Sequence, residues 1–193
     1  MSQEILQILP PLAGGVFFLI LVSVLFWMKS RRAKGLRLGE DWLPHRPGPL
    51  TLQLPELVLN RVKLGDSYEA LKTFGRPDNA NPLSQERFDY KSSGLQISLQ
   101  NERSQEFHFL FDREQDSGKP CRLKLIQNSE EQSLSHSTRT GDIADFLRRK
   151  GEEEQWDDGF TLSQYELAGH QLDFFFDDSG NLHALEISRS SLD

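Results

Sequence analysis

The chain has 193 residues, room for one domain or two small ones beside an anchoring segment. Thirteen phenylalanines and 26% charged residues are ordinary for a folded protein and exclude global disorder. Charge is uneven: residues 1–49 carry six Lys/Arg against three Asp/Glu, residues 50–193 sixteen against twenty-six, and so acidic a domain argues against nucleic acid as its partner.

From Leu9 to Met28 no residue is charged, and the run through Phe17, Phe18, Leu21, Val24 and Phe26 is almost wholly apolar. Twenty helical residues rise roughly 30 Å, the hydrocarbon thickness of a bilayer, so the segment reads as a transmembrane helix. Trp27 falls where an aromatic ring suits the membrane interface. A cleaved signal peptide fits poorly, because its cations precede the apolar run. Here Lys29, Arg31, Arg32, Lys34 and Arg37 follow it. Such a cluster stays on the cytoplasmic side and faces the lipid head groups. The expectation is a single-pass protein with residues 1–8 outside and its domain on the cytoplasmic side of the plasma (inner) membrane. Gly14-Gly15 supplies small residues without a GxxxG pair, so homo-oligomerisation stays open.

Residues 29–49 combine the basic flank with a proline-rich spacer. Beyond it the chain repeats itself. Gly65-Asp66, Leu71 and Gly75 recur 76 residues later as Gly141-Asp142, Leu147 and Gly151. Tyr90, Gly94, Ile97 and Leu99 recur 75 residues later as Tyr165, Gly169, Leu172 and Phe174. A fixed period of this kind is the mark of duplication. The reading is one α/β repeat over 50–127, a linker over 128–137, and a second repeat over 138–193. Asp66 and Asp142 read as helix N-caps, and Gly75 and Gly151 as the glycines that end those helices. Alternating segments at 94–100, 106–112, 121–126, 170–177 and 182–188 read as strands, and 178–181 as a hairpin turn. The expected fold class is α+β: two tandem repeats, each a helix packed on an antiparallel sheet, preceded by one transmembrane helix.

Gly-Asp-Ser at 65–67, Leu71, Phe74-Gly75-Arg76-Pro77, Tyr90 and the strand after it resemble the SmpA/BamE lipoprotein domain. Two such units in tandem resemble the β-lactamase inhibitory protein. Over residues 62–188 that resemblance implies helices on an antiparallel sheet whose concave face meets a protein partner. The chain departs from the lipoproteins in having no cysteine before Cys121, and the second half reads Gly151-Glu152 without the proline. Outer-membrane assembly is therefore no part of the expectation.

Chemistry-bearing residues give little. His45, His108, His136, His170 and His183 lack metal-ligand spacing with any Cys or Glu. The lone Cys121 has no activating histidine nearby, and Asp177-Asp178-Ser179-Gly180-Asn181 lacks the closing glutamate of a calcium loop. No phosphate loop or nucleophile elbow occurs. No catalytic, cofactor or metal residue is expected. Alternation puts Phe107, Phe109 and Phe111, and likewise Leu172, Phe174 and Phe176, on one side of their strands. Leu110 and Phe175 then face the other way and are the candidate protein-binding residues. The expected function is a membrane-tethered protein-interaction or assembly module without catalysis. A membrane-anchored regulator that binds a small ligand between the repeats is the alternative.

Overall fold

The computed structural model describes residues 38–190, apart from 80, 81, 84, 113–117, 157 and 158. The chain divides into two units, Met1–Leu38 and Gly39–Asp193, and the second holds every strand and helix described.

Strands dominate it. In chain order they are β1 (Leu50–Gln53), β2 (Val58–Leu59), β3 (Arg87–Tyr90), β4 (Leu95–Gln100), β5 (Arg103–Leu110), β6 (Leu123–Gln127), β7 (Glu130–Leu134), β8 (Glu152–Gln155), β9 (Thr161–Leu167), β10 (His170–Phe176) and β11 (Leu182–Arg189). A 3-10 helix covers Tyr68–Phe74, and the α-helix α1 covers Thr140–Leu147. Two sheets result, a smaller one in the order β2-β1-β6-β7 and a seven-stranded one in the order β3-β4-β5-β11-β10-β9-β8. All neighbours in the larger sheet are antiparallel; in the smaller, β1 and β6 run parallel.

Register explains the core. Across the large sheet one row runs Phe88, Ile97, Phe107, Ile187, Leu172 and Tyr165, and the next Tyr90, Leu95, Phe109, Leu185, Phe174 and Ser163. All twelve are buried, as period-two alternation requires of one face. The small sheet offers Leu50, Leu52, Leu59, Leu123, Leu125 and Leu134, also buried. These faces, with Ile143 and Leu147 of α1 and loop residues such as Trp42, Leu57 and Val62, contribute to the apolar interior. Each buried large side chain contributes roughly 1.5–3 kcal/mol, so this alignment is the main source of stability.

Two-residue turns set that register. Asn101 and Glu102, Asn128 and Ser129, and Ala168 and Gly169 all have positive φ, the backbone that lets a tight hairpin follow the twist of its strands. Asp177 shapes the β10–β11 turn, its Oδ1 accepting from Ser179 N at 2.9 Å and Asn181 N at 2.8 Å. Those bonds, with His136 nearby, hold its carboxyl below the usual range against the raising effect of burial.

The expected fold class is corrected here. The unit is mostly β, and no helix packs on its own sheet in each half. The segment after Gly65 fails to nucleate an α-helix because its first backbone groups are bonded sideways. Gly65 N donates to Ser104 O at 2.7 Å, Tyr68 N to Glu102 O at 2.9 Å, and Ser104 N to Asp66 O at 2.9 Å. Only a 3-10 turn remains, closed by Gly75 N on Lys72 O at 3.0 Å. In the other half Arg148, not Gly151, takes the left-handed position after α1. Asp142 sits at the third helical position rather than at the cap, and its carboxylate accepts from Arg139 N at 2.8 Å. Asp66 accepts from Lys63 N at the same distance, so this local bond repeats although the helix type does not. Within 128–137, Glu130–Leu134 pair with β6.

The membrane placement is corrected too. Among the described residues no helix is long and apolar enough to cross a membrane. The residues read as the span (Leu9, Phe17, Phe18, Leu21, Val24, Phe26, Trp27 and Met28) and the cations Lys29, Arg31, Arg32, Lys34 and Arg37 lie outside the described residues. The single-pass assignment, and the cytoplasmic placement that rested on it, are withdrawn.

Candidate functional site: the outer face of the large sheet

The face of the seven-stranded sheet that turns away from the core carries three cross-strand rows. The first runs Glu154, Leu162, Phe175, Ala184, Leu110. The second runs Glu152, Gln164, Asp173, Glu186, His108, Gln96, Asp89. The third runs Glu166, Gln171, Ser188, Glu106, Ser98, Arg87. The apolar side chains are thus gathered at one end and the polar ones over the rest.

Leu110 and Phe175, the two residues that alternation singles out, are both partly exposed. They flank Ala184 in one row, Leu110 from β5 and Phe175 from β10. Leu110 lies on the third strand of the meander β3-β4-β5 and Phe175 on the third strand of the meander β8-β9-β10-β11. Their adjacency arises because β5 and β11 pair at the centre of the sheet. Between Leu110 and Phe175, Ala184 is buried, as is Leu162 on the far side of Phe175.

Three residues that strand alternation does not mark as candidate binding residues complete this end. Trp156, 41% exposed, meets Phe175 edge-on with ring centroids 5.5 Å apart. Phe160 meets His183 edge-on at 5.1 Å. His183 falls at the β10–β11 irregularity, where the register shifts between Phe175 and Phe176, so it stands outside the regular alternation. Its Nδ1 lies 3.5 Å from Asp112 Oδ2. Trp156 could be found from sequence only as an aromatic in an otherwise acidic stretch; the bulge at His183 has no sequence signal.

The polar rows are internally bonded. Gln164 Nε2 donates to Asp173 Oδ1 at 2.9 Å and Gln171 Nε2 to Asp173 Oδ2 at 2.7 Å. Ser98 Oγ donates to Glu106 Oε2 at 3.2 Å. The hydrogen bond between Glu186 and Glu106, then burial and the charges of Glu106 and Asp173, push the Glu186 carboxyl up to about 8. One proton is therefore held between two carboxylates near neutrality. Burial pushes His108 down despite Glu106, and His183 adds to the effect, so this histidine is neutral there.

No group of three or more His, Cys, Asp or Glu able to hold a metal occurs among the described residues. Burial pushes the Cys121 thiol far up, which makes it a packed and unreactive side chain. A crevice beside the apolar row, lined by Leu110, His183, Asp112, Gln96, Lys91 and Lys119, has a volume of about 30 Å³, comparable with one water molecule. A roomier cleft of about 250 Å³ lies elsewhere, between Leu43–Leu50 and Phe74-Gly75. His45 crosses it, with Nδ1 on Phe74 O at 2.5 Å and Nε2 on Ser93 Oγ at 2.8 Å.

No family model matches the chain, and no curated protein matches it. Among solved structures it is similar to a DUF4309 family protein (YjgB) from Bacillus subtilis subsp. subtilis str. 168, at 9% identity and a TM-score of 0.42. The match covers 63% of this chain and 76% of that one. A likeness of that size carries no argument about fold or function.

Proposed function

We propose that the chain is a protein-interaction module and that the apolar end of the outer sheet face is where a protein partner docks. The observation that carries this reading is the row Leu162-Phe175-Ala184-Leu110 with Trp156 on its flank. Leu110 and Phe175 are half-covered and Trp156 is exposed, while Leu162 and Ala184 between and beside them are buried and hold the row rigid. Accessible aromatic and aliphatic side chains on a pre-formed sheet cost little entropy to bury and are the usual anchors of an interface. Gln164, Gln171 and Asp173 in the neighbouring rows already bond one another before docking and form part of a polar rim. Nothing in this reading asks for a chemical step.

The test is a pair of single substitutions, Phe175→Asp and Leu110→Asp, with two readouts. Partner binding, measured on the purified complex recovered by crosslinking, should fall at least about tenfold for both, the loss typical of a removed anchor. Thermal unfolding should shift by only a few degrees, because neither side chain is fully covered. A collapse of folding in both variants would place these residues in the core and end the proposal.

A further inference from the structure

The two edges of the large sheet are finished in different ways. At β3 the outward backbone groups are occupied: Asn79 accepts from Asp89 N at 3.1 Å and donates to Arg87 O at 2.6 Å, while Asp78 N donates to Asp89 O at 2.7 Å. A side-chain amide there takes the place of a further strand. At β8 nothing comparable occurs among the described residues. That strand pairs with β9 along Glu152–Gln155 and ends the sheet with all four residues exposed. Its outward N–H and C=O groups are a template for another chain.

Charge decides which chain. Glu152, Glu153 and Glu154 make no ion pair among the described residues, unlike the acidic edge strand β7 of the small sheet, where Arg148 meets Glu130 at 2.5 Å and Lys124 meets Glu131 at 3.0 Å. Three like charges in four residues repel a second copy of the same edge, which removes self-pairing. The register puts Glu152 and Glu154 on the same face as Leu162 and Phe175, and Trp156 continues that line.

We propose that β8 accepts, as an added strand, an extended segment of a protein partner with a lysine or arginine at alternate positions, its cations on the face shared by Glu152, Glu154 and Trp156. Main-chain hydrogen bonds supply affinity in this mode and alternate side chains supply selectivity. The inference rests on the proposed binding role, extending it from the sheet face to the neighbouring edge.

The experiment titrates the full chain with three synthetic peptides: alternating Lys-Val repeats, the same with Glu for Lys, and the Lys-Val peptide N-methylated at alternate residues. The first should bind, more weakly as salt rises, and the other two at least tenfold less tightly. In the triple variant E152K/E153K/E154K the preference should reverse toward the Glu-Val peptide. Equal binding of the N-methylated peptide would overturn strand addition, since no main-chain donor would then be needed. Unchanged binding to the triple variant would overturn the site. Phe175→Asp separates the two proposals: loss of Lys-Val binding there, with the triple variant unaffected, supports the sheet face alone and rejects the edge.

Discussion

Glu186 occupies the centre of the outer sheet face, opposite His108 and Asp173 in its row and bonded to Glu106 in the next. Its carboxyl titrates at about 8 in the folded chain, against 4.5 for an unhindered glutamate. Folding therefore takes up a proton, and the stability associated with it is complete below 4.5 and lost as pH rises through about 8. Urea midpoints should fall across that interval in the wild type and fall less steeply in Glu186→Gln. Equal slopes would show that the pair does not share a proton. The paired glycines of the repeat give a second prediction at this scale. Gly94 and Gly169 have φ of 60° and 76°, where any other residue is strained by about 1–2 kcal/mol. A Cβ on Gly94 would also lie 2.6 Å from Cys121 N and 2.8 Å from Leu110 O, whereas one on Gly169 meets nothing. Gly94→Ala should cost clearly more than Gly169→Ala in denaturant unfolding, and equality would contradict the crowding. Both glycines were legible from the period, because left-handed turns leave a residue signature; the crowding at one of them was not, because it comes from a segment far away in the chain.

At the scale of elements, β5 is an interior strand of the large sheet that joins β4 to β11. Phe107 is fully covered and registers with Ile97 and Ile187. Phe107→Ala should cost about 3–5 kcal/mol, read as a lowered urea midpoint with the m-value retained. A loss below about 1 kcal/mol would place the residue outside the core. At α1, Asp142→Ala removes the bond from Arg139 N and should cost about 1 kcal/mol, localised by faster amide exchange in the first helical turn. Period-two alternation made most of the large-sheet strands readable. What it could not show was that the segment after Gly65 spends its backbone bonds on the β4–β5 hairpin and never becomes an α-helix. Nor could it reveal Glu130–Leu134, a polar strand with one buried residue joined to β6 by an Asn128-Ser129 turn that carries no glycine.

At the scale of the molecule, strands from both parts of the repeat share one sheet, and their junction at β5 and β11 puts Leu110 and Phe175 on either side of Ala184. Each residue's outward direction could be read from its own strand, but their proximity depends on which strands meet at the centre, and that is a property of topology alone. We hold this row to be a docking surface. Its most direct test is a photo-crosslinking amino acid placed at position 175 of the full chain in cells, with position 122, held by the exposed Arg122 outside the row, as control. The predicted result is one discrete heavier adduct from position 175, absent from position 122 and abolished by Leu110→Asp. The same pattern of adducts from both positions, unchanged by Leu110→Asp, would contradict it.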